Sequence, residues 1–150
     1  MPPPAKRPDM IDTVVVATDG SESVERCVDV ALDLADHFGA TVHALSIVDE
    51  SEIEGSPEPL QADLERALTD SASDALAAVA DRMDDEIETA VRTGDAAAEI
   101  VGYAEDVDAD VVAMGTRGRH GEHRFLVGSV AERVVRTCPI PVLTVRQLEG

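Results

Sequence analysis

The chain has 150 residues, enough for one globular domain with a real core and too few for a second. Its 31 Asp and Glu against 12 Lys and Arg give a formal net charge of −19. That excludes sequence-independent nucleic-acid binding and attraction to an anionic membrane, both of which need a broad basic face. Hydrophobic residues reach 44 % while aromatics make up only 2 %, so the chain is not a disordered acidic tail and its core must be aliphatic and alanine-rich.

Residues 1 to 11 are proline-rich and polar and are expected to form a flexible tail, with one domain from Asp12 to the end. Asp12 to Thr18 (DTVVVAT) is β-branched and almost continuously apolar, the pattern of a strand covered on both faces in a parallel sheet. After polar DGSES, Val24, Cys27, Val28, Ala31, Leu34, Ala35 and Phe38 recur at helical spacing, and Gly39 is placed to stop that helix. Thr41 to Val48 reads as the second strand. The acidic, Gly- and Pro-containing stretch that follows, DESEIEGSPEPL, predicts an exposed mobile loop.

Leu60 to Met83 carries Leu64, Leu68, Ala72, Ala75, Leu76, Val79 and Met83 on one stripe, which predicts a long amphipathic helix with a solvated acidic face. Ile87 to Thr93 alternates as a short strand, and Ala96 to Glu105 forms a helix around Ile100, Val101 and Ala104. Ala109 to Met114 is the fourth strand. A long glycine-containing connection leads to the stripe Val130, Ala131, Val134, Val135, which Cys138-Pro-Ile-Pro terminates before a last strand, Pro141 to Val145. Five strands alternating with four helices imply an open, doubly wound, mainly parallel α/β sheet, with the proline-led last strand at an edge. In that architecture ligands sit at the carboxyl ends of strands, near the switch in strand order.

Cys27 and Cys138 are far apart and belong to no CxxC or zinc-type spacing, so no metal site is implied; Cys27 falls on the apolar stripe of the first helix, as packed core. The N-terminus has no apolar run after its basic residues, and nothing later approaches ~18 uninterrupted apolar residues. A soluble, reduced, cytoplasmic protein is expected. Lys6 is the only lysine, and this near-absence together with the acid excess matches the hydrated, self-repelling surfaces of salt-loving proteins.

Charge reverses in one place. Between Thr116 and Ala131 lie Arg117, Arg119, Arg124, His120 and His123 against Glu122 alone, interleaved with Gly118, Gly121 and Gly128 after Gly115. Glycines bring bare backbone amides close to a ligand, and the arginines favour an anion. Ser129 stands where the last helix begins, able to cap it or to share its hydroxyl with a phosphate at the positive end of the helix dipole. Asp19 follows an apolar strand directly, where a carboxylate can accept from ribose hydroxyls, hold Mg²⁺ through water, or cap the helix after it. Asp49 and Glu50 are read as solvated loop acids, and His37 and His43 as ordinary surface or half-buried histidines.

Written out, the spacing is Gly115, two residues, Gly118, nine residues, Gly128, Ser129. This resembles the nucleotide-binding signature of the universal stress protein family in its ATP-binding branch. VVVATDGSES after the first strand, SIVDE after the second and MGTRGRHGEHRFLVGSVAERVVRTCPIPVLTVR at the end carry the likeness, from about Asp12 to Arg146. It implies an adenine-nucleotide alpha-hydrolase-like sheet of strand order 3-2-1-4-5. Residue by residue, it implies that Ala17, Thr18 and Asp19 line the nucleotide, with Asp19 near ribose or phosphate. It further implies that the backbone of Ile47 reads the adenine edge, and that Met114, Gly115, Gly118, Gly128, Ser129 and Val130 wrap sugar and phosphates. Arg117, Arg119 and His120 stand where the family varies; the two arginines are included in the candidate site.

The function so implied is an ATP-binding, nucleotide-responsive stress or signalling module, with Mg²⁺ accompanying the nucleotide. It would act as a homodimer, pairing the exposed backbone of Pro141 to Val145 with its twin. A slow ATP hydrolase or phosphotransferase using the same pocket is the alternative. GxxxxGK[ST] is missing, Lys6 lies in the tail, and no residue marks itself as a base that positions water, so turnover would be weak. A nucleotide-independent dimeric interaction module is the third reading, since some members of the family lack the glycine signature retained here. A phospho-receiver domain would need a late lysine, which is absent.

Overall fold

The computed structural model describes residues 11–83, 87–116 and 129–147. Its strands are β1 (Thr13–Ala17), β2 (Thr41–Asp49), β3 (Glu88–Gly94), β4 (Val111–Gly115) and β5 (Val142–Val145), and its helices are α1 (Glu25–Phe38), α2 (Glu50–Glu54), α3 (Glu58–Ala80), α4 (Ala96–Asp106) and α5 (Ser129–Thr137). The strands form one sheet in the order β3-β2-β1-β4-β5, and all four pairings are parallel. That is the doubly wound topology the βα alternation and the family resemblance imply, with β5 at an edge.

The central strand explains the topology physically. Val14, Val15 and Val16 are all fully buried, because β1 is flanked on both sides and covered on both faces. Val14 and Val16 point into a cluster with Cys27, Val28 and Ala31 of α1 and Leu76 and Val79 of α3. Val15 points the other way, with Leu45 and Val112, against Ile100 and Ala104 of α4 and Ala131 and Val134 of α5. A one-residue slip of register would exchange the two faces.

Local chemistry sets the element ends. α1 stops at Gly39, whose φ of +64° and backbone bonds to Ala35 and Asp36 form a left-handed cap. At its other end the Arg26 amide donates to Gln147 Oε1 at 2.9 Å, so a side chain from beyond β5 caps the helix. Asp110 Oδ2 accepts the amides of Asp12 at 2.7 Å and Thr13 at 2.9 Å, tying the start of β1 to the start of β4. Pro141 lies just outside β5, yet its carbonyl accepts the Val112 amide at 2.9 Å.

The structure departs from the sequence reading after β2. The expected loop contains α2, capped by Asp49, whose carboxylate accepts the Ser51 amide at 2.9 Å, so a fifth helix joins the four expected. α3 already starts at Glu58, with Pro59 in its first turn, where a missing N–H costs nothing. Its far end stops at Ala80 rather than Met83, and the first helix is preceded by a separate 3₁₀ turn at Glu22–Val24. Among the described residues no helix is long and apolar enough to cross a membrane.

Two titratable groups are shaped by this packing. Burial pushes the Cys27 thiol up to about 12, so at neutral pH it stays protonated, as packed core should. His43 on β2 is half-buried, its Nδ1 2.9 Å from the Tyr103 hydroxyl of α4, and burial holds it below the ordinary 6.5 despite the opposing charge of Glu88. The folded chain therefore binds fewer protons at His43 than the unfolded chain. This contribution to stability is complete above about 6.5 and is lost as pH falls through that range. We expect the melting temperature to fall between about pH 7.5 and 5.5, and to fall less in His43→Gln; equal slopes would contradict this.

Candidate functional site

The chain leaves β1 toward β2 and β3 on one side and returns to build β4 and β5 on the other, so the connections after β1 and β4 diverge at the carboxyl ends of neighbouring strands. The β1 connection is preset by its own side chains. The Thr18 amide donates to the Leu45 carbonyl at 2.9 Å, one residue past the end of the strand. Thr18 Oγ1, buried, accepts the Gly20 amide at 3.1 Å, and Asp19 Oδ1 accepts the Ser21 amide at 2.9 Å. Gly20 takes φ +78°, and a Cβ there would stand 3.0 Å from the Ala75 methyl of α3; only glycine fits this turn. Asp19 thus braces the turn before the 3₁₀ segment.

Four residues singled out from three distant stretches of sequence converge here. Ala17 at the end of β1, Ile47 near the end of β2, Met114 near the end of β4 and Val130 in the first turn of α5 belong to one apolar cluster on the α4/α5 face. Gly115 follows Met114 and is buried, in register with Val145. Ser129, the first residue of α5, is exposed, at the end where a helix presents unpaired amides. Arg117, Gly118, Arg119 and Gly128 lie outside the described residues, as do His120, Gly121, His123 and Arg124.

Two polar features escaped the sequence reading. The Ser21 hydroxyl is buried beside Asp19 and finds no hydrogen-bond partner among the described residues, a cost that a bound polar group would relieve. Asp95, directly after β3, accepts the Ala98 amide at 3.0 Å as the cap of α4 and receives both Arg133 amino groups at 3.0 Å. The bidentate bridge ties the start of α4 to α5. Arg133 and then the Ala98 amide hold the Asp95 carboxyl below the usual carboxylate range, and the same pairing raises the guanidinium. An aspartate before AAAEI is a readable helix cap; its partner, 38 residues on, is not.

The arrangement offers an apolar floor, a glycine at a strand end, a helix N-terminus and one carboxylate. It suits a molecule that is flat and apolar at one end and anionic at the other. Among the described residues no group of three or more His, Cys, Asp or Glu side chains gathers as a metal site. Asp49, at the end of β2, is occupied as the α2 cap and also accepts the Ser51 hydroxyl at 2.7 Å.

Comparison with known proteins bears on this site. The model of the universal stress protein family matches residues 10–146. Universal stress protein MJ0531 of Methanocaldococcus jannaschii is 37 % identical over 138 residues, spanning 89 % of this chain and 81 % of the relative. Among solved structures, hypothetical protein MJ0577 superposes with a TM-score of 0.82 at 27 % identity, over 94 % of this chain and 99 % of the other. A universal stress protein solved in complex with cAMP superposes with a TM-score of 0.68 at 25 % identity, over 93 % of this chain and 100 % of the other.

Proposed function

Because the chain belongs to the universal stress protein family, we propose that it is an ATP-binding member, a nucleotide-responsive stress module whose site lies at the carboxyl ends of β1, β2 and β4. The observation that carries this reading is the convergence of Ala17, Ile47, Met114 and Val130 beside Gly115 and the N-terminus of α5. The fold relative that holds cAMP supports an adenine nucleotide as the ligand class.

In this reading the Ile47 backbone meets the adenine edge, and Ala17 and Thr18 line the sugar. Asp19 faces ribose or, through water, the Mg²⁺ that accompanies the nucleotide. Met114, Gly115, Gly118, Gly128, Ser129 and Val130 wrap ribose and phosphates, and Arg117 and Arg119 supply positive charge. The Ser21 hydroxyl, which has no hydrogen-bond partner among the described residues, adds a polar group on the same turn as Asp19. Mg²⁺, when bound, neutralises phosphate charge; the chain's part is to bind and orient. The module acts as a dimer through the edge at Pro141 to Val145, where β5 leaves one side of its backbone open within the sheet.

A ligand that binds only the folded chain stabilises it by about 2.7 kcal/mol at one hundred times its dissociation constant. For a chain of this size that is a rise of roughly 5–11 °C in melting temperature. We expect ATP with Mg²⁺ to produce such a shift at millimolar concentration. No shift with ATP, ADP or AMP would overturn the reading.

A further inference from the structure

α3 is longer than the core it serves. Its buried residues are Ala72, Ala75, Leu76 and Val79, all in its C-terminal half, whereas none from Glu58 to Ser71 is buried. At 1.5 Å per residue, about 20 Å of helix precedes the buried part. Yet the apolar stripe continues along it. Leu60, Leu64 and Leu68 extend the core line at intervals of four, with Leu64 and Leu68 half-buried and Leu60 55 % exposed. Ile53 of α2, the short helix that precedes and contacts α3, is half-buried as well.

The rim of this ridge has one sign of charge. On the helical wheel Asp63 and Asp70 fall to one side of the leucines, and Glu58 and Glu65 to the other. Glu50, Glu52 and Glu54 come from α2. The one base between residues 50 and 70 is Arg66, on the opposite face, 3.9 Å from Asp63. An apolar line between two acidic rims is complementary to a helix that is apolar on one face and basic on its flanks. A second copy of this ridge is the wrong occupant, because it would bring the acidic rims of one copy against those of the other. α3 packs on β2 and β3, at the end of the strand order away from β5, so pairing through β5 leaves the ridge open.

We propose that the Leu60–Leu64–Leu68 ridge of α3, with Ile53 of α2, is a docking surface for a basic amphipathic helix of a partner protein. This does not rest on the nucleotide reading. The test is titration of the full chain, at about 0.15 M salt, with three synthetic helical peptides: one of leucine and lysine in amphipathic order, one with its leucines replaced by serine, and one with its lysines replaced by glutamate. Calorimetry gives affinity, and methyl NMR reports position.

We expect the leucine–lysine peptide to bind at least tenfold more tightly than either control and to shift the methyl signals of Ile53, Leu60 and Leu64. Leu60→Asp is the discriminating variant. It adds a negative charge, so charge attraction alone would tighten binding, whereas docking on the ridge predicts a loss of at least tenfold; Leu60→Ser, with no charge added, should lose nearly as much. Both variants are checked for an unchanged melting temperature. Equal binding of the serine peptide, shifts elsewhere, or unchanged affinity of the melt-matched variants would overturn the proposal. So would light scattering that shows the free chain self-associating through a contact abolished by Leu60→Asp.

Discussion

Replacing Ser129 by aspartate is expected to weaken ATP binding about 100-fold while leaving the melting temperature unchanged or higher. Aspartate is as good a residue as serine at the start of a helix, and its charge suits the positive end of α5. In the proposed reading, it sets a negative charge where the phosphates would sit. Two unit charges about 4 Å apart near a protein surface interact by about 4 kcal/mol at an effective dielectric constant of 20. Partial screening of that repulsion still leaves roughly the 2.7 kcal/mol that a hundredfold loss requires. Ser129→Ala should lose far less, since it deletes one hydroxyl and leaves the backbone amides in place. Equal affinities for Ser129→Asp and the parent chain would place the phosphates elsewhere.

Leu45→Ala should lower stability by about 3 kcal/mol, within the 2–5 kcal/mol usual for a buried leucine. Leu45 is fully buried on β2, beside Ala17 of β1, and packs among Val15, Ile100, Val112 and Val134. Its carbonyl also accepts the Thr18 amide, so a collapse around the cavity would reach the β1 turn. Melting temperature should drop by about 6–12 °C. Leu60→Ala, at a position 55 % exposed, should stay within about 0.5 kcal/mol of the parent. A comparable loss at the two positions would mean that the core does not lie where the packing puts it.

β1 and β4 were legible because burial on both faces leaves a local mark: VVV in β1 and VVAM in β4 are apolar without alternation. α2 was not legible, since a five-residue ESEIE segment has no second turn over which a stripe can repeat, and Pro57 and Pro59 read as breakers when Pro59 in fact occupies the first turn of α3. Asp19, the glycines from Gly115 onward and Ser129 could be named from the residues themselves, as a carboxylate, bare-backbone positions and a helix start after apolar strands, whereas Ala17, Thr18, Ile47, Met114 and Val130 came only with the family resemblance. Their meeting depends on strand order, which brings Met114 beside residues some seventy to one hundred positions earlier, and that order came with the family resemblance rather than from periodicity. The same separation hid the Asp95–Arg133 bridge, whose halves look in sequence like a cap and a surface base. The leucine ridge was visible as a pattern, but only the packing shows that its first half is left without a core.

The most direct test is an ATP–Mg²⁺ titration of the full chain, labelled at alanine, isoleucine, methionine, leucine and valine methyl groups and followed by NMR. The account predicts saturable shifts at Ala17, Ile47, Met114 and Val130, with Ala35 and Leu76 on the opposite face of the sheet unmoved. Shifts confined to the α1/α3 face, or a spectrum unchanged in millimolar ATP, would contradict it.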